Sequence, residues 1–290
     1  MAEVIAKATD VEVIYGDKPA LDKINMSVKK GDIYALIGKN GAGKTTLLRL
    51  FTGQNAPDYG IIELFGKKGT HGLNEARKRT GAIIETPAFY PFFSAERNLE
   101  YYRIQRGIDD PSIVETVLKE TGLYEAKDKK FKNFSLGMKQ RLGIALSLMH
   151  DPEFLILDEP TVGLDVVARE EVLAMIREYM TAHEQAGVLI SSHIATDLES
   201  LCDDLYLIRD GKIIMHEDTD VLLSEYALLK VPAEKYETLD KQYILRSKKE
   251  SYGYACLTDK KQYYRENEPD LVMENGSIDE LILMMNGGRE

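Results

Sequence analysis

The chain has 290 residues, 44% of them hydrophobic and 29% charged, with a formal net charge of −11. That length supports one sizeable core and a small second domain. The acidic balance argues against nucleic acid as the main partner, because phosphate contacts need a basic face. No apolar stretch approaches a membrane span, and the opening MAEVIAKATDVEVIYG has no apolar leader segment. Cys202 and Cys256 are the two cysteines, far apart and outside any metal spacing, so the expectation is a soluble cytosolic protein with reduced thiols.

Strand-like and helix-like runs alternate along the first three quarters, which predicts an α/β fold. Residues 32–38 (DIYALIG) read as a buried strand and residues 44–53 (KTTLLRLFTG) as a helix closed by Gly53. Residues 81–93 (GAIIETPAFYPFF) begin as a strand, end it on Glu85, and continue as a proline-stiffened aromatic segment. From Glu85 to Phe154 the strand signal stops and helices are predicted. One starts near Ser94; the next has Asp110 as its cap, Pro111 in its first turn and Gly122 at its end. FLILD (154–158) and GVLISS (187–192) are further apolar strands, and DLYLIRDGKIIMH predicts a hairpin turning at Asp210-Gly211. Beyond residue 218 the chain is richer in Tyr, Lys and Glu. It predicts a small appended α/β domain over 221–290, ending in a helix with Ser277 and Glu280 as a capping box.

The chemistry begins at GKNGAGKTT. Gly38, Lys39, Asn40, Gly41, Ala42, Gly43, Lys44 and Thr45, followed by Thr46, fit G-x-x-x-x-G-K-[ST] between a strand and a helix. The glycines let backbone N–H groups converge on phosphates, and the helix N-terminus adds its positive end. Lys44 would reach the β- and γ-phosphates of a nucleotide and the Thr45 hydroxyl would ligate Mg²⁺. FLILDEP then places Asp158 at the carboxyl end of a buried strand, where it would hold Mg²⁺. Glu159 follows as the base that orients attacking water. An Asp-Glu pair after a strand is otherwise an ordinary polar loop.

The stretch NFSLGMKQRLGIALSLMHDPEFLILDEPTVGLD resembles the signature-to-Walker B region of ABC transporter ATPases. The resemblance covers residues 1–220, with the motifs in family order: P-loop, Glu85 segment, signature, Walker B, GLD and a later histidine. It implies a P-loop cassette with a RecA-like core, an antiparallel β-subdomain and a helical subdomain near residues 86–150. Two departures stand out. The signature, usually Leu-Ser-Gly-Gly-Gln, runs Phe134-Ser135-Leu136-Gly137-Met138, and Glu85 replaces a glutamine. Both variants are similar to the branch serving type-2 exporters of bacitracin, lantibiotics and phenol-soluble modulins.

The resemblance also assigns roles. Ser135, Leu136, Gly137 and Met138 would face the γ-phosphate held by a second copy of the chain; a plain serine N-cap accounts equally for Ser135. Tyr15 matches the aromatic that stacks on adenine, against the alternative of a strand aromatic packed on the core. His193 matches the histidine that contacts the γ-phosphate. Asp165 matches the loop crossing between two subunits, with an N-cap as an equal claim. Lys127 and its neighbours in KDKKFK read as a solvated face.

Glu85 is expected at the carboxyl edge of the sheet near Thr45 and Asp158, as an oxygen ligand of Mg²⁺ or else as a simple strand-end acid. The apolar residues 87–93 (Pro87, Phe89, Tyr90, Pro91, Phe92, Phe93) are expected to be exposed, and such a patch marks a partner site. The resemblance supplies the partner, a polytopic membrane subunit at the cytoplasmic face. The expected function is ATP hydrolysis by a homodimer that drives export, with a peptide as first choice and drug, lipid-linked or ion cargo as alternatives. Two other classes are alternatives: a soluble ABC-type ATPase acting on ribosomes or DNA, which usually carries two cassettes or a long coiled-coil insertion, and an importer ATPase with a C-terminal sensor.

Overall fold

Every residue of Ile33–Ile37, Phe154–Asp158 and Gly187–Ser192 is buried, the pattern of strands covered on both faces. The computed structural model describes residues 3–85, 88–194, 198–275 and 278–286. In chain order, β1 (Val4–Tyr15), β2 (Lys18–Lys29) and β3 (Ile33–Ile37) precede α1 (Lys44–Thr52), β4 (Tyr59–Leu64), α2 (Gly69–Arg77) and β5 (Thr80–Ile83). Three helices follow, α3 (Ala95–Gln105), α4 (Ser112–Glu120) and α5 (Leu136–Leu148), with no strand among them. Next come β6 (Phe154–Asp158), α6 (Val166–Ala182), β7 (Gly187–Ser192), β8 (Asp204–Arg209) and β9 (Lys212–Asp218). The chain continues through α7 (Thr219–Glu225), β10 (Ala227–Pro232), α8 (Ala233–Tyr236), β11 (Ile244–Glu250) and β12 (Gly253–Thr258). It reaches α9 (Lys261–Asn267), β13 (Val272–Glu274) and α10 (Ile278–Asn286) last.

The central sheet has the order β5-β6-β7-β3-β8-β9, parallel except for the β8–β9 hairpin. That hairpin turns at Asp210-Gly211 with both residues at positive φ, 49° and 75°, as the two-residue turn requires. A separate antiparallel sheet, β2-β1-β4, lies over one face. Between the two sheets α1 buries Leu47, Leu48 and Phe51 against Ile5, Leu21, Leu36 and Ile156. On the opposite face α6 packs Val172, Leu173 and Ile176 on Leu155, Leu157 and Ile190. The three helices between β5 and β6 build their own core from Leu99, Val114, Leu118, Leu142 and Leu146. Burial of such apolar surface, about 25 cal/mol per Å², supplies most of the cohesion of each layer.

Asp110 caps the start of α4, accepting from Ser112 N at 2.8 Å, and Pro111 follows it with helical dihedrals, φ −72° and ψ −21°. One local expectation needs adjusting. The aromatic segment is only partly exposed. Phe89 is 7% exposed and packs against Phe131 and Tyr102 in the core of the helical layer. Phe93 is half-buried, while Tyr90 and Phe92 stand out at 41% and 70% exposure. Pro87 lies outside the described residues.

A four-stranded antiparallel sheet, β11-β12-β10-β13, ends the fold. One set of its residues, Leu229, Val231 and Cys256, packs with Tyr264 and Leu271 in a small core. The alternate set, Leu228 and Leu257, joins the main core together with Ile278 and Met284 of α10. Strand alternation thus bonds this sheet to the cassette on one face and to its own helices on the other. The capping residue Ser277 lies outside the described residues.

Candidate functional site

The loop from β3 to α1 brings the first group of side chains together. Gly43 has φ 109°, and a Cβ there would meet Leu21 Cδ2 at 2.8 Å and the Ala20 carbonyl at 2.9 Å. Only glycine serves at such a position, so the backbone can curl tightly and aim its N–H groups inward. Lys44, at the start of α1, is 5% exposed. Its Nζ donates to the Gly38 carbonyl at 2.6 Å and pairs with Glu159 Oε1 at 3.0 Å.

The end of β6 brings the second group. Thr45 Oγ1 donates to Asp158 Oδ2 at 2.8 Å, and Ser191 Oγ donates to Asp158 Oδ1 at 2.5 Å. Asp158 is 8% exposed, and among the described residues no cation pairs with it. A buried carboxylate held by two neutral hydroxyls is a costly arrangement unless a cation joins it. Hydroxyl and carboxylate oxygens are also the hard donors that Mg²⁺ prefers. The residues therefore fit such a metal.

Glu159 adopts φ 49°, a left-handed conformation that non-glycine residues seldom take and that here turns its carboxylate back over the sheet edge. Its N–H donates to Ser191 Oγ at 3.0 Å. Its Oε2 accepts from the His193 N–H at 3.3 Å and lies 2.8 Å from His193 Nδ1. Lys44, Thr45, Asp158, Glu159 and His193 thus meet at the carboxyl ends of β3, β6 and β7, as the sequence motifs suggest. Ser191 completes the array and was not singled out from the sequence; its one signal was a polar residue at the end of an apolar strand.

The other candidate residues stand in different surroundings. Glu85 has φ 61°, and its exposed carboxylate is paired with Arg49 Nη2 of α1 at 2.6 Å. Tyr15 is 55% exposed, so it is no core aromatic; its hydroxyl accepts from Asn55 Nδ2 at 2.7 Å. Ser135 caps α5 by accepting from Met138 N at 3.2 Å, and Asp165 caps α6 by accepting from Ala168 N at 2.9 Å. Gly137 is buried, and a Cβ there would come 3.0 Å from Ala168 Cβ. Its missing side chain therefore lets α5 lie against α6, a packing reason the sequence did not disclose. Leu136 is half exposed. Among the described residues, no hydrogen bond or ion pair joins Ser135, Leu136, Gly137 or Met138 to Lys44, Thr45, Asp158, Glu159 or His193.

A phosphate-binding loop, a buried acid beside a hydroxyl, and a glutamate at the next position are the arrangement of a P-loop nucleoside triphosphatase. Residues 21–162 match the ABC transporter family. The chain is 41% identical over 210 residues to the bacitracin transport ATP-binding protein BcrA of Bacillus licheniformis, covering 72% of this chain and 68% of that one. It is 39% identical over 214 residues to the lantibiotic transport ATP-binding protein SrtF of Streptococcus pyogenes, covering 74% and 91%. Among solved structures, cbiO1 from Clostridium perfringens superposes with a TM-score of 0.69 at 28% identity, over 77% of this chain and 92% of that one. The chain belongs to the ATP-binding subunits of ABC transporters. It binds ATP and hydrolyses it in a reaction coupled to transport. No helix among the described residues is long and apolar enough to cross a membrane.

Proposed function

We propose that the chain powers an exporter of peptides, working as a pair of identical subunits beneath a polytopic membrane subunit. The observation that carries the catalytic part is the joined array Lys44–Glu159–His193 beside Thr45–Asp158–Ser191. Backbone N–H groups of residues 38–46 receive the phosphates, and Lys44 neutralises charge on the β- and γ-groups. Glu159 accepts a proton from the attacking water, and His193 holds the Glu159 carboxylate in place while its ring reaches the γ-phosphate. Thr45 and Asp158 would hold Mg²⁺, with Glu85 joining them by giving up Arg49. That ion supplies charge neutralisation for phosphoryl transfer. Tyr15, exposed at the rim, stacks on the adenine.

Pairing is supported by the separation of Ser135–Met138 and Asp165 from the P-loop of the same chain. The helix N-terminus at Ser135 then completes the site of a second copy. Tyr90, Pro91 and Phe92 offer an apolar surface for the membrane subunit. Peptide cargo is supported by the similarity to proteins named for bacitracin and lantibiotic transport. The test is sensitivity of cells to bacitracin and to a lantibiotic when the chain is produced with its membrane subunit. Protection by the wild type but not by Glu159→Gln is expected; equal protection by both would remove the role of hydrolysis, and protection by neither would remove the peptide cargo.

A further inference from the structure

Three hydrogen bonds join the end of β1 to the segment that follows α1. Asn55 Nδ2 donates to the Tyr15 hydroxyl at 2.7 Å, and Asp58 Oδ2 accepts from the Ile14 N–H at 2.7 Å. The Asp58 N–H donates to the Glu12 carbonyl at 2.9 Å. The segment is in turn anchored on α1. Gly53 ends that helix at φ 78°, and the Arg49 carbonyl accepts from the N–H groups of Gln54 and Asn55 at 3.0 and 3.2 Å. Such a closed last turn fixes the chain that leaves it. Pro57, with its set φ, stands between Asn55 and Asp58. The Asn55 side chain therefore starts from a fixed point.

Tyr15 also lies within reach of the phosphate loop. Its partner across the β1–β2 hairpin is Lys18. Two residues farther along β2, the Ala20 carbonyl is 2.9 Å from where a Cβ on Gly43 would stand. Two residues of strand span about 7 Å, so a nucleotide with its phosphates on the loop can bring its base to Tyr15. The tyrosine is 55% exposed, and packing alone restrains such a side chain little. Immobilising one side chain only when the ligand arrives weakens binding about two- to tenfold. A bond from an anchored amide removes that loss beforehand.

We propose that Asn55 is a positioning residue for the nucleotide base: it holds the Tyr15 ring by its hydroxyl, in place to stack on adenine. This rests on the stacking role given to Tyr15 above. It also makes the two ends of α1 serve one ligand. Lys44 and Thr45 at the N-terminus meet the phosphates, and the closed C-terminus fixes the platform for the base.

The test compares full-length variants by ATP binding, by steady-state hydrolysis and by inhibition with inorganic triphosphate, which has the phosphates and no base. Asn55→Ala is expected to raise Kd and KM for ATP about two- to tenfold and to leave kcat unchanged. The inhibition constant of triphosphate should not move. Tyr15→Phe keeps the ring without the hydroxyl and should match Asn55→Ala; the double variant should lose no more than either one. Wild-type ATP affinity in Asn55→Ala overturns the proposal. Equal weakening of triphosphate overturns it too, because that marks a disturbed α1 or phosphate loop, and so does a double variant whose losses add. Tyr15→Ala tests the underlying role separately. If it binds ATP as well as the wild type, the stacking itself is removed; if it binds poorly while Asn55→Ala does not, the stacking stands and the positioning falls. Should Asn55→Ala not fold, Tyr15→Phe decides alone, and wild-type ATP affinity in that variant overturns the proposal.

Discussion

Lys44 and Glu159 form an ion pair, with 3.0 Å between Nζ and Oε1, and the lysine is almost wholly buried. The same ammonium donates to the Gly38 carbonyl at 2.6 Å. It therefore links the phosphate loop to the carboxylate proposed as the water-activating base. In a site of reduced dielectric such a pair is held tightly, and it covers one of the two oxygens available to take a proton. Under the proposed role of Glu159, a triphosphate would compete for Lys44 with several negative charges, draw the lysine away and free the base. Nucleotide binding and activation of Glu159 would then be one electrostatic event.

Glu159→Gln keeps the shape and the contact with His193 but removes the charge. Turnover should fall by about 10²–10⁴-fold, with ATP still bound and paired subunits accumulating. Single-turnover hydrolysis combined with size-exclusion chromatography in ATP checks this; near-normal turnover would reject Glu159 as the base.

Ser191→Ala removes a donor to Asp158 and one of two acceptors of the Glu159 N–H, leaving it the Ser191 carbonyl at 3.2 Å. Because Ser191 is fully buried, the Asp158 oxygen left without its donor should cost about 1–3 kcal/mol of stability. Chemical denaturation reads this loss, and kcat should drop in the same variant. A stable, fully active Ser191→Ala protein would make the hydroxyl incidental.

Gly137→Ala tests the close approach of α5 and α6. The added methyl would press on Ala168, at a cost of about 1–3 kcal/mol, visible as a lower Tm. If Tm holds while ATP-driven pairing fails, glycine at 137 serves the second copy and not the helix packing.

Phe89 and Phe92 should behave oppositely although they are three residues apart. Phe89→Ala empties a buried site and should destabilise by about 3–5 kcal/mol. Phe92→Ala should leave stability within about 0.5 kcal/mol and weaken co-purification with the membrane subunit. Thermal melts and pull-down from detergent extracts separate the two effects.

Glu85→Gln breaks the pair with Arg49. If Glu85 leaves Arg49 to serve the metal, the Mg²⁺ concentration for half-maximal activity should rise. An identical Mg²⁺ titration would leave Glu85 as a strand-end acid held by α1.

The phosphate loop, the acid at the end of β6 and the histidine after β7 were legible because their signals are local. A glycine spacing, an apolar run ending in Asp158 and the polar end of GVLISS each lie within one strand and its turn. The hairpin at Asp210-Gly211 was legible for the same reason. What stayed hidden depends on residues distant in the chain. Ser191 matters through Asp158, 33 residues away, and Glu85 is claimed by Arg49, 36 residues away. Phe89 looked exposed because its segment is irregular; Phe131, across the helical layer, covers it. Gly137 owes its packing role to Ala168 on another helix. Local pattern thus determined the elements and the identity of the candidate reacting groups, since backbone geometry and burial period act over a few residues. Tertiary packing decided which of those groups are paired, buried or free, because charge and volume are settled by whatever the fold brings alongside.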